Sequence, residues 1–115
     1  MSAGGAWAVG ATGSGPDSTT LIVRWNGTAW KRVPNPSPAG SVLLGVAATS
    51  ATNAWAVGYT GSSKTLIEHW NGTAWRRMRS PSPPSGYLAG VAATSAQNAW
   101  AVGSLIVRWN GTAWK

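Results

Sequence analysis

Nine tryptophans in a chain of 115 residues fall into three recurring positions. Trp25 and Trp30, Trp70 and Trp75, and Trp109 and Trp114 each bracket the letters WNGTAW. Trp7, Trp55 and Trp100 each sit in the segment AWAVG. The step from Trp30 to Trp55 is 25 positions, and so is the step from Trp75 to Trp100. Every tryptophan is therefore placed by a repeat. The fold must be one in which a local structure stacks on copies of itself. A period of about 45 residues is the size of one four-stranded propeller blade.

The middle copy shows how one repeat reads. GVAATS at 45–50 holds only small and β-branched residues, as expected of an innermost strand where blades converge on an axis. AWAVG at 54–58 is the second strand and LIEHW at 66–70 the third, separated by the polar loop YTGSSKT at 59–65. Asn71-Gly72 predicts a two-residue type I′ hairpin, because that turn needs positive φ at both positions. TAWRRM at 73–78 is then the outermost strand, and the prolines of SPSPPSG at 80–86 end the pairing. Length varies only between the second and third strands. Trp7 to Trp25 is 18 positions, Trp55 to Trp70 is 15 and Trp100 to Trp109 is 9. The short third-copy connection, Val102-Gly103-Ser104-Leu105, reads as a Gly-Ser type II′ hairpin.

The expected fold class is all-β, a β-propeller of four-stranded antiparallel blades. Residues 1–38 make a partial blade of three strands, 39–83 a full blade, and 84–115 a full blade with a shortened loop. The first copy starts at its second strand, since Ser2 to Trp7 aligns with Ser50 to Trp55. The order three, four, four totals eleven strands and leaves an inner strand missing. Closure needs at least about four blades, so ring completion by homo-oligomerisation is expected, or else the chain is part of a longer array.

Nine Lys and Arg against Asp17 and Glu68 give a net charge of +7. Such a field attracts polyanions and equally keeps an aromatic-rich surface soluble. The chain has no cysteine, which excludes a disulfide framework and thiolate metal sites. No apolar run approaches about 18 residues, so no membrane partner is expected. The first ten residues lack the basic and apolar regions of a signal peptide.

The motifs at 53–58, 66–75 and 80–83 together resemble a group of bacterial, highly repetitive β-propeller repeats of the form (N/D)xWAVG…LIEHWNGTxW…PSP. The resemblance spans nearly the whole chain. It implies four-stranded blades in long, often secreted proteins, and it implies no catalytic or cofactor-binding residues. The near-identity of the copies is what repeat amplification produces, recent in evolution or by design.

Candidate chemistry is sparse. Glu68 and His69 are adjacent on a strand and so point to opposite faces, which makes no dyad. Asp17 and Glu68 belong to different copies and do not form a glycosidase pair. With one His and no Cys no metal site is read, no cofactor is implied, and no enzymatic activity is expected. Asn-Gly-Thr at 26–28, 71–73 and 110–112 is formally a glycosylation sequon but coincides with the hairpin turn. Lys31, Arg32, Arg76, Arg77, Arg79 and Lys115 follow the last tryptophan of each repeat, where cations protect a sheet edge from pairing or form a polyanion-binding rim. No nucleic-acid module is recognisable, so nucleic acid is a weak candidate partner.

Two readings of the tryptophans follow. As packing residues they fill the space between blades, with Trp30, Trp75 and Trp114 on the outermost strands expected to be the most exposed. The module is then a self-assembling scaffold. As stacking platforms they would bind glycans. The W-x-G-x-x-W hairpin is similar to that of the small fucose-binding propeller lectins, whose sites use an Arg and a Glu with a Trp. That resemblance points to Trp70, Glu68 and Arg24, although only one copy retains the acid.

Overall fold

Strand-forming segments separated by glycine and proline turns give a fold of sheets alone. The computed structural model describes residues 6–12, 19–35, 40–50, 52–61, 64–80 and 86–115. Among these, ten strands form three antiparallel sheets, and no helix occurs. The first sheet contains β1 (Ala6–Thr12), β2 (Thr19–Trp25) and β3 (Trp30–Arg32), paired in that order. The second contains β4 (Val42–Ser50), β5 (Asn53–Tyr59), β6 (Thr65–Trp70) and β7 (Trp75–Met78), again in chain order. The third contains β8 (Leu88–Ser95), β9 (Asn98–Gly103) and β10 (Ile106–Trp109).

The eleventh expected strand is reduced to a bridge. Trp114 pairs with Trp109, and Arg108 and Lys115 exchange backbone hydrogen bonds of 2.8 and 3.0 Å. Residues 1–5, Asp17 and positions 81–85 of the proline linker lie outside the described residues.

Register repeats as faithfully as sequence. Trp55 lies opposite Ala47 and His69, and Trp100 lies opposite Ala92 and Arg108. β4 and β8 carry bulges at matching places, between Leu43 and Gly45 and between Ala48 and Ser50 in β4, and between Leu88 and Gly90 and between Ala93 and Ser95 in β8. The second bulge lets Thr49 and Thr94 accept a hydrogen bond from the amide nitrogens of Asn53 and Asn98, each at 2.8 Å. An extra residue in one strand re-aims a side chain in this way.

The WNGTAW hairpins differ from expectation. Trp70 pairs directly with Trp75, so the loop holds four residues, not two, and β7 starts at Trp75. The Asn71 carboxamide oxygen accepts from the Thr73 backbone N–H, the Thr73 hydroxyl and the Ala74 N–H at 2.9, 2.9 and 3.0 Å. That side-chain oxygen does the work of a backbone carbonyl. Only Gly72 then needs positive φ, at 103°. The same bonds recur at Asn26 and Asn110. The 103–105 connection is likewise a three-residue loop between Val102 and Ile106, held by Ser104 N–H to the Tyr87 carbonyl at 3.1 Å. The Gly-Ser type II′ turn is therefore not formed.

The sheets stack face to face, and two apolar clusters lie between them. One joins Trp7 and Ile22 to Leu43, Leu66, Trp70 and Trp75. The other joins Trp55, Val57 and Ile67 to Leu88, Val107 and Trp114. β4 and β8 come closest. A Cβ on Gly45 would lie 3.0 Å from the Ala89 carbonyl and 3.1 Å from the Gly90 Cα. The small residues of GVAATS are there because backbones nearly touch.

Candidate functional site

The repeated feature with chemical character is the tryptophan junction between consecutive sheets. Alternation along a strand sends neighbouring side chains to opposite faces. Ala54, Ala56, Leu66 and Trp70 of the second sheet face the first sheet, while Trp55, Val57 and Ile67 face the third. At the first junction the Trp7 ring lies 5.2 Å from Trp70 and 5.1 Å from Trp75, the latter edge-on at 84°. At the second, Trp55 lies 5.0 Å from both Trp109 and Trp114, again edge-on to the hairpin tryptophan at 89°. One tryptophan from AWAVG inserts against a WNGTAW pair in both places. Edge-to-face contacts at this spacing add to the stabilisation from burial.

A polar side chain completes each junction. The Arg24 guanidinium lies 4.9 Å from the Trp7 ring and 5.6 Å from Trp70, a cation held against the indoles of two sheets. The aligned residue in the second junction is His69, whose ring is 4.2 Å from Trp55. Its Nε2 donates to the Asn53 carboxamide oxygen at 2.6 Å. Burial holds the His69 pKa below its usual value of 6.5, favouring the neutral ring.

The expected exposure of the hairpin tryptophans is corrected here. Trp75 and Trp114 are only 4% exposed, because Trp7 and Trp55 cover them, whereas Trp30 is 50% exposed because no described residue of another sheet covers it. Position in the stack decides exposure, not position in the sheet. The same rule exposes Trp100, at 47%, although Trp55 in the identical segment is at 1%.

The three residues singled out for ligand binding fall at the first junction. Trp70 and Glu68 are buried, and Arg24, which is half-buried, lies over Trp70. Trp70 and Glu68 share a face of β6, as residues two apart must. The face of Trp70 is occupied by protein groups, Trp7 and Arg24. The Asn oxygens of the sequons are engaged in their own loops. Among the described residues, no three His, Asp or Glu side chains gather as metal ligands would. The junction itself, as a unit joining strands of different sheets, was not legible from spacing, because the rings that meet in it, Trp7 with Trp75 and Trp55 with Trp114, stand at unequal separations in the sequence.

A second repeated feature is a pair of open grooves at the outer edge. One, about 450 Å³, is lined by Thr19, Thr20, Arg32 and Asn35, and the other, about 360 Å³, by the aligned Lys64, Thr65, Arg77 and Ser80. Thr65 and Ser80 hydroxyls bond across the second groove at 2.7 Å. Lys31, Arg32, Arg76 and Arg77 are exposed on β3 and β7, which are edge strands. Charges on an edge strand discourage pairing with another chain.

The chain matches no protein-family model and no curated protein.

Proposed function

We propose that the chain is a non-enzymatic β-propeller repeat module, a self-assembling structural scaffold whose sheets are blades. The observation that carries this reading is the tryptophan junction, built twice with the same residues and nearly the same distances. A contact that repeats along a stack is a construction element, whereas a ligand site needs an open face. The close approach of β4 and β8 at Gly45 and Gly90 supports convergence of blades on an axis. The all-β stack of antiparallel sheets and the inner-to-outer order β4-β5-β6-β7 support it too.

Three blades do not close a ring, and apolar end faces favour association of copies. Dimers supply roughly six blades and trimers roughly nine. Light scattering behind a sizing column tests the proposal. The expected result is one species at a discrete multiple of 11.8 kDa. A monomer that persists as concentration rises overturns self-assembly.

A further inference from the structure

The two end faces of the stack are the two halves of the junction that the chain already builds twice inside itself. The outward face of the third sheet presents Trp100, Val102 and Ile106, exposed at 47, 46 and 68%. Their counterparts in the second sheet, Trp55, Val57 and Ile67, are at 1% or less, packed on the third. The outward face of the first sheet presents the complementary half, Trp25 and Trp30 with Leu21 and Val23. That WNGTAW pair is already set for an incoming ring. Its centroids are 5.7 Å apart at 53°, against 6.0 Å and 47° for Trp70 and Trp75 and 5.9 Å and 44° for Trp109 and Trp114.

The polar element is also in place. Arg108 aligns with Arg24 and His69, and its guanidinium lies 5.5 Å from the Trp100 ring. The Asn98 carboxamide oxygen fixes it there, accepting from Nε at 3.0 Å and from an Nη at 2.8 Å. That guanidinium lies against one indole. At the first junction Arg24 lies against two, Trp7 and the Trp70 of the facing sheet.

Resting on the self-assembly reading, we propose that the third sheet of one copy docks head-to-tail on the first sheet of a second copy. Trp100 inserts against Trp25 and Trp30 of that copy, and Arg108 lies against both Trp100 and Trp25. The occupant is a second copy because the internal junctions show this surface's own complement, and the chain carries that complement at its other end. Such a heterologous contact closes into a ring when the rotation permits. Removing a buried aromatic at the centre of an interface costs association about 30-fold or more.

The test is complementation with full-length chains, read by sedimentation and light scattering. Trp100→Ala keeps the receiving face and loses the inserting ring; Trp30→Ala does the reverse. Ile106→Lys serves as a second inserting-face variant at a solvent-exposed position, where folding does not depend on the side chain. Wild type should be a discrete oligomer and each variant alone a monomer with the wild-type strand content. Equimolar Trp100→Ala with Trp30→Ala should recover a dimer through one intact junction, and Ile106→Lys with Trp30→Ala should do the same. If the variants remain oligomeric, or if the mixtures stay monomeric, the head-to-tail junction is overturned while self-assembly stands. If wild type itself is a monomer, both proposals fail.

Discussion

β5 and β9 carry the same six residues, NAWAVG, and meet different fates. In β5 all six are buried, while in β9 Trp100, Val102 and Gly103 are exposed and only Ala99 and Ala101 are buried. The second sheet has a neighbour on each face; the third has one. A strand covered on both faces reads as a continuous apolar run, and one covered on a single face should alternate. β9 has the sequence of the first kind in the setting of the second. The sequence of each repeat is written for the middle of a stack, and its end copies carry apolar surface that only a further sheet would cover.

The sharpest break in this comparison is truncation of the inserting ring. Trp55→Ala opens a cavity between the second and third sheets and should cost about 3–5 kcal/mol. That loss should not depend on chain concentration. Trp100→Ala should stay within about 0.5 kcal/mol when chains are dilute, and its cost should grow with concentration as association is lost. Urea unfolding across a concentration series separates the two. Equal losses at high dilution would mean that Trp100 is packed within its own chain.

A backbone contrast comes next. A Cβ on Gly58 would sit 1.9 Å from the Val42 carbonyl oxygen and 2.8 Å from the Leu43 Cα, both backbone atoms of the adjacent β4. At the aligned Gly10 nothing lies within 4 Å. Gly58→Ala should therefore cost about 3 kcal/mol or more. Gly10→Ala should be neutral or gain up to about 1 kcal/mol by restricting the unfolded chain. Thermal unfolding of the pair is sufficient. A strong penalty at Gly10 would place another strand against β1.

Those positions also show how far the letters reached. The strand segments, their order and their antiparallel pairing were legible because WNGTAW and AWAVG bring their own turns and alternation. The hairpin type was not. Asn-Gly suggests a two-residue turn, but three hydrogen bonds to the Asn71 oxygen are available only if Thr73 and Ala74 join the loop. Exposure of the hairpin tryptophans was misread for a longer-range reason. Trp30, Trp75 and Trp114 are equivalent in sequence, and only their neighbours in other sheets distinguish them. Trp70, Glu68 and Arg24 could be placed on strands, but the meeting of Arg24 with Trp70 crosses two sheets and lies beyond any local pattern.

The hairpins mark where the two regions should stop differing. Asn71 and Asn110 make the same three bonds, one in the middle sheet and one in the end sheet. Asn71→Ala and Asn110→Ala should each cost about 1–2 kcal/mol, the net worth of a few exposed hydrogen bonds. Chemical denaturation should find the two losses within about 0.5 kcal/mol of each other, the usual scatter for surface sites. A much larger loss at Asn71 would show that the loop draws strength from the stack and is not a local unit.

The smallest effect lies in the polar seat of the junctions, where the second sheet has His69 and the sheets flanking it have Arg24 and Arg108. Burial lowers the His69 pKa, so the folded chain binds this proton less readily than the unfolded chain, whose value is near 6.5. The sign follows from linkage. Stability from the neutral ring is fully present above the unfolded value. It falls as pH drops below 6.5, because the unfolded state takes up the proton first, and the loss levels off once pH is below the lowered folded value. Thermal unfolding at pH 8 and pH 5 should show lower stability at the acid end. His69→Arg puts a permanently charged group in the seat that Arg24 occupies beside Trp7 and Trp70. That variant should lose the acid-side decline attributable to this position. Loss of that decline would mean that the three seats are alike in their packing but not in their response to protons; a decline that matches wild type would mean that the titration arises elsewhere.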